Sequence, residues 1–174
     1  GGEISLVVED GDAVYPITID PTFTQVRKIV ASDGVAGDLF GRSIALSGDT
    51  AIVGAISDDV GPNANQGSAY IYVRNVGGDN NWSEVKKLTA SDGGTNDGFG
   101  SAVAIFGDTA FVGAEGDLAG GQGSVYIFSR NAGGIDNWGQ IKKLSPSDGV
   151  AFGTSLSIDQ NTLVVGARGF FDGE

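Results

Sequence analysis

The chain of 174 residues contains no cysteine, no histidine and no methionine, and only 4 prolines. Without cysteine there is neither a disulfide framework nor thiol chemistry. Without histidine, the commonest general base and the commonest metal ligand are both missing. Without methionine the chain does not begin at its own start codon, and the opening Gly1-Gly2 predicts processing or origin in something longer. No run of 18 apolar residues is present, so no transmembrane helix is predicted, and no signal-peptide pattern stands at the start. Basic residues are few, 10 against 22 acidic ones, for a net charge of −12. Such a chain repels nucleic-acid phosphates and anionic membrane surfaces, so neither nucleic-acid binding nor membrane insertion is expected. A sustained helical apolar stripe is lacking as well.

Glycine is abundant, with 30 residues, and fits a chain of tight turns. The dominant feature is internal repetition. Phe40–Ala55 (FGRSIALSGDTAIVGA), Phe99–Ala114 (FGSAVAIFGDTAFVGA) and Phe152–Ala167 (FGTSLSIDQNTLVVGA) align without a gap, at spacings of 59 and 53 residues. Gly67–Arg74 returns as Gly123–Arg130, and Asn75–Leu88 as Asn131–Leu144. Ala31–Gly34 (ASDG) returns at Ala90–Gly93, and as PSDG at Pro146–Gly149. Length differences are confined to polar, Gly-rich connections, which is how loops vary on a fixed scaffold. Repeats of this period indicate a propeller, a solenoid or an array.

Each repeat predicts four short strands. In the second they are Ser101–Phe106, Thr109–Gly113, Ser124–Ser129 and Gln140–Leu144, the first two joined by the two-residue turn Gly107-Asp108. Gly48-Asp49 and Gln160-Asn161 are the equivalent turns. Period-two patterning between turn residues argues for strands. Four antiparallel strands in 50–60 residues describe one blade of a β-propeller. The fold class expected is therefore all-β, built of propeller-type four-stranded blades. Blade cores fall near 40–91, 99–148 and 152–174 within a repeat region 25–174, after a β-hairpin lead-in at 1–24. In that lead-in Ile4–Val8 and Val14–Ile19 are the predicted strands, and Val26–Ala31 matches the fourth strand of a repeat, Val85–Ala90.

Phe-Gly at the start of a strand, followed a dozen residues later by Gly-Ala, resembles the FG-GAP repeat of integrin α heads and large secreted bacterial proteins. The residues are Phe40-Gly41 with Gly54-Ala55, Phe99-Gly100 with Gly113-Ala114, and Phe152-Gly153 with Gly166-Ala167. The family's usual proline after Gly-Ala is replaced by Ile56, Glu115 and Arg168. The kelch repeat is the rival, through Gly77-Gly78…Trp82 and Gly133-Gly134…Trp138, but here the double glycine follows the Tyr-rich strand instead of preceding it. The resemblance implies propeller blades on an extracellular or surface protein. The Cys-free, acidic composition suits the outside of a bacterial cell.

The strand count leaves an incomplete ring, since propellers hold about four to eight blades. A fragment of a longer propeller, strand exchange between copies and an open curved stack all fit. Self-association through the terminal strands is the partner expected, with a glycan or protein ligand as the alternative.

Asp33, Asp38, Asp92, Asp97 and Asp148 lie in Gly-rich loops just before the Phe-Gly strands. Carboxylates on tight turns are candidate calcium ligands, and Asp-Gly is equally an ordinary turn former. The calcium loop implied by the integrin resemblance, of DxDxDG type inside the repeat, is absent and is not carried over. Asp58, Asp59 and Asp117 in the variable loops carry less weight. Trp82 and Trp138 read as packing anchors between blades, with sugar stacking as the other possibility. Phe40, Phe99 and Phe152 read as core. Lys86-Lys87 and Lys142-Lys143, with Arg27-Lys28 as counterpart, read as edge-strand charges that discourage pairing. Asn81-Trp82-Ser83 fits the glycosylation pattern. No catalytic constellation emerges, so a non-enzymatic structural or adhesive protein is expected, with a ligand-binding propeller piece of a larger bacterial adhesin as the second reading.

Overall fold

The computed structural model describes residues 28–79, 81–117, 122–146 and 151–169. Ten strands run in sequence: β1 (Phe40–Ser47), β2 (Thr50–Ala55), β3 (Ser68–Arg74), β4 (Trp82–Leu88), β5 (Phe99–Phe106), β6 (Thr109–Ala114), β7 (Ser124–Ser129), β8 (Gly139–Leu144), β9 (Ala151–Asp159) and β10 (Thr162–Arg168). They form two four-stranded antiparallel meanders, β1-β2-β3-β4 and β5-β6-β7-β8, and a two-stranded sheet, β9-β10. These are two whole propeller blades and the inner half of a third, and the described residues close no ring.

The hairpin turns fall where the sequence places them. Ser47 pairs with Thr50 across Gly48-Asp49, and Phe106 with Thr109 across Gly107-Asp108. The predicted hairpin at 4–8 and 14–19 lies outside the described residues. Of the predicted strand at 26–31, residues 28–31 are described and carry no strand; Ile29 and Ala31 instead pack against the cluster of Val53, Tyr70 and Tyr72.

The alternation of side chains assigns each strand two faces, and the faces of successive blades meet. Ile52, Ile71 and Leu88 of the first blade share one buried cluster with Phe99, Val103, Ile105, Phe128 and Trp138 of the second. Phe111 and Val125 of the second blade meet Phe152, Leu156, Ile158 and Leu163 of the third. Phe99 is fully buried, as a core residue should be, while Phe40 and Phe152 are half-buried at their clusters' margins.

Glycine sets the spacing between blades. Gly100 sits at φ +90, and a Cβ on it would lie 2.4 Å from the Ser68 carbonyl oxygen of the preceding blade. A Cβ on Gly54 would lie 2.2 Å from the Gly100 carbonyl oxygen, which also accepts the Ser43 hydroxyl at 2.8 Å. Gly113 and Gly153 repeat the contact between the second and third blades. The Phe-Gly and Gly-Ala signatures are thus two halves of one backbone-on-backbone junction. The phenylalanine amide adds a further tie: Phe99 N donates to Gln66 O and Phe152 N to Gln122 O, each at 2.8 Å.

Candidate functional site

Two kinds of site stand out: a polar cluster repeated in each whole blade, and the two end faces of the stack.

In the second blade, Tyr126 on β7 lies directly opposite Lys143 on β8. The register brings both to one face, and two loops close over them. Lys143 Nζ lies 2.8 Å from Asp92 Oδ2 and 2.6 Å from Asp117 Oδ2. The Tyr126 hydroxyl lies 2.9 Å from Asp92 Oδ1 and 2.8 Å from Asp117 Oδ2, its one proton shared between the two carboxylates. The first blade repeats the arrangement with Tyr70 opposite Lys87. Lys87 Nζ is 2.7 Å from both Asp33 and Asp58, and the Tyr70 hydroxyl donates to Asp33 at 2.8 Å. Asp58 also accepts a very short hydrogen bond from Ser68.

Electrostatics bind each cluster together. Burial pushes the Tyr126 hydroxyl far above its ordinary value of 10.0, and the neighbouring Asp117 and Asp92 push it further. Burial opposes ionisation of Asp117 and Asp92, but hydrogen bonds from Lys143 and Tyr126 outweigh it, so both carboxyls titrate below 3.8. Asp33 is held below the same value, chiefly by Lys87. Burial works against the Lys143 charge, yet its bonds to Asp117 and Asp92 raise it above 10.5. The signs fix the stability profile. Carboxyls lowered in the fold contribute stability that is present above their unfolded values near 4 and is lost as pH falls through the folded values. Tyrosine raised in the fold contributes stability present below about 10 and lost as pH climbs beyond it. Stability should therefore hold level from about pH 5 to 9 and fall on both sides. Replacing Tyr126 and Tyr70 by Phe should lessen the alkaline fall, the rest of which belongs to Lys143, Lys87 and Tyr72. Denaturant midpoints measured from pH 2 to 11 check this, and an unchanged alkaline limb in the double variant contradicts it.

The sequence-predicted carboxylates separate into two groups. Asp33 and Asp92 join the lysine clusters. Asp38 and Asp97 are buried and accept their own loops' backbone amides, from Val35 and Gly94. Asp148 lies outside the described residues. The cation these clustered carboxylates hold is a lysine ammonium, and among the described residues no group of three or more acidic side chains is placed to hold a metal ion. Asp58 and Asp117, given little weight in the sequence, are in fact buried members of the clusters. Lys87 and Lys143 correct the edge-charge reading: they turn inward, with side chains 27% and 20% exposed, because two carboxylates meet each of them. The signal was present in the sequence, since Asp33, Tyr70 and Lys87 return in register as Asp92, Tyr126 and Lys143.

The end faces differ from the faces inside the stack. Val103 and Ile105 are 7% and 4% exposed against the first blade, whereas their equivalents Ile44 and Leu46 on β1 are 67% and 63% exposed. At the other end Val164 is 63% exposed, while its equivalents Ile52 and Phe111 are 0% and 8%. Gly41 shares the φ of Gly100 but has nothing within 4 Å. Among the described residues, each end thus carries one half of the junction that is complete between internal blades.

A model of the FG-GAP repeat matches residues 23–72, 82–128 and 138–174. The chain belongs to the FG-GAP repeat family. The second FG-GAP match runs from β4 to β7 and so straddles two blades, taking the outer strand of one and three strands of the next. The Phe-Gly that recurs in register therefore opens the second strand of the FG-GAP unit, where the blades touch. No curated protein matches this FG-GAP chain. Among the described residues, no helix is long and apolar enough to cross a membrane.

Proposed function

We propose that this FG-GAP chain is a non-enzymatic, extracellular structural or adhesive protein of bacterial origin that assembles through its open blade faces. The exposure of Ile44 and Leu46, at positions buried inside the stack, carries this reading. Because the two ends are different halves of one junction, contact between copies is heterologous, and gives a ring if the rotation closes or a filament if it does not. FG-GAP repeats typically occur in extracellular or surface proteins, which supports the location. The charge of −12 opposes association at low ionic strength, so salt should promote it by screening.

Light scattering across a concentration series at 20 and 500 mM salt provides the test. Mass should rise with both concentration and salt, and Ile44→Glu with Leu46→Glu should return the chain to monomer. A wild-type monomer under all conditions sinks the assembly reading.

The second reading is a glycan- or protein-binding module from a larger adhesin. It is favoured by a cleft of about 280 Å³ where the loops of the first two blades meet, lined by Ile56, Ser57, Asn65, Asn96 and Glu115. Saccharide titration followed by NMR of these residues, with Asn96→Ala as control, separates this reading from assembly.

A further inference from the structure

We propose that Asp33-Gly34 and Asp92-Gly93 are sites of backbone isomerisation to isoaspartate, and that the lysine of each blade, Lys87 or Lys143, is the group that holds its aspartate back from reacting. Nothing in this depends on the assembly reading.

The sequence creates the reactive pair. Glycine after aspartate lets the glycine amide approach the aspartate side chain, because no Cβ stands in the way and the backbone turns freely. At Gly93 the glycine is also required by packing. A Cβ there would lie 2.4 Å from Gln66 Nε2, and Gln66 is buried, with its Oε1 held by Asn63 Nδ2 at 2.8 Å. At Gly34 a Cβ would lie 3.1 Å from the Ala31 methyl.

At Asp92 the Gly93 nitrogen attacks Cγ. One carboxyl oxygen leaves as water, carrying the carboxyl proton and the amide proton, and a succinimide ring closes. Water then opens the ring. Addition at the side-chain carbonyl restores aspartate, whereas addition at the main-chain carbonyl gives isoaspartate, whose chain runs through Cβ and Cγ. Composition is unchanged, and the main chain gains one carbon. Ring closure needs a protonated carboxyl, since an oxide does not leave, and a carboxyl free to swing towards the amide.

The clusters deny both. Asp92 Oδ2 lies 2.8 Å from Lys143 Nζ and its Oδ1 lies 2.9 Å from the Tyr126 hydroxyl, so both oxygens are tethered to the sheet. Asp33 is tethered alike, with Oδ2 2.7 Å from Lys87 Nζ and Oδ1 2.8 Å from the Tyr70 hydroxyl. Burial opposes ionisation of Asp92 and Lys143 overcomes it, while at Asp33 the bond to Lys87 is the larger influence outright. Water is not kept out: the Asp92 and Asp33 side chains are 52% and 51% exposed. The ammonium, and not enclosure, is therefore what restrains them. Asp97-Gly98 in the same connector provides an internal reference, because its carboxylate is buried and accepts its own loop's Gly94 amide.

The test follows isoaspartate at each site during several weeks at neutral pH, by peptide mapping with fragmentation that tells isoaspartate from aspartate at a named residue. In the wild-type chain, Asp92 should isomerise at least tenfold more slowly than in a free peptide of residues 90–96. Lys143→Met should accelerate Asp92 at least fivefold and leave Asp33 and Asp97 unchanged. Lys87→Met should accelerate Asp33 alone. Asp117→Asn, which disturbs the same cluster but leaves Lys143 on Asp92, should keep Asp92 slow. Circular dichroism checks that each variant folds. Should Lys143→Met fail to fold, Tyr126→Phe takes its place, since it frees Asp92 Oδ1 alone, and should give a smaller acceleration at Asp92 only. Unchanged rates at Asp92 in the folded variant overturn the proposal, as does a wild-type rate equal to that of the peptide. Acceleration of Asp33, Asp92 and Asp97 together, or equal acceleration by Asp117→Asn, makes general loosening of the blade the cause and also overturns it.

Discussion

Gly100→Ala should cost the domain about 3–5 kcal/mol, whereas Gly41→Ala should cost about 1–2 kcal/mol, although the two glycines share φ +90. The backbone strain of an alanine in this region is common to both and amounts to about 1–2 kcal/mol. The remainder belongs to the junction. At Gly100 the new methyl would meet the Ser68 carbonyl at 2.4 Å and the Gly54 Cα at 3.2 Å, and none of these atoms is the end of a movable side chain. The blades must part, which opens the cluster of Ile52, Val103 and Ile105 to loss of contact. At Gly41 nothing lies within 4 Å. Urea denaturation of the two variants measures the difference directly. Equal losses would mean that blade contact does not depend on the glycine junction.

Trp138→Ala should destabilise by about 3–5 kcal/mol, as expected for emptying the site of a large buried aromatic. Trp82→Ala, at the equivalent but half-buried position, should lose about 1–2 kcal/mol. The difference arises because the second blade's outer hairpin lies on the first, while among the described residues no blade lies against the outer face of the first. Trp138 also holds φ +51, a conformation unfavourable for a bulky residue. Its ring is held in place on both sides, by the interblade cluster and by the Arg130 guanidinium 5.2 Å from the ring centroid. Glycine adopts this backbone freely, so Trp138→Gly should be less harmful than Trp138→Ala by about 0.5–1 kcal/mol, the reverse of the usual order. Thermal and chemical denaturation of the three variants test both statements. An alanine variant at least as stable as the glycine one would remove the backbone argument.

Local signals carried most of the fold. The alternation of Val103 and Ile105 with alanines, the Gly107-Asp108 turn and the threefold Phe-Gly pattern each act within a few residues, and strands, turns and blades follow from them. Trp138 was legible as an interblade anchor for the same reason. The lysine clusters were harder to read because their members come from separate segments. Asp33, Asp58, Tyr70 and Lys87 meet only after β3 has paired with β4 and two loops have folded over the pair. Taken singly, a lysine pair on a polar outer strand reads as solvated charge, and an Asp in a variable loop reads as a turn. The exposure of Ile44 and Leu46 was equally hidden, since their sequence pattern is that of Val103 and Ile105 and only the neighbouring blade distinguishes them.

Because main-chain atoms touch main-chain atoms at the Gly54–Gly100 and Gly113–Gly153 junctions, the separation of successive blades at those points is set by the peptide backbone itself. The side chains of the interblade clusters must then fill whatever space that fixed approach leaves. A change of volume at Ile52 or Val103 is therefore met by its neighbours across the junction, because the backbones beside it cannot close further.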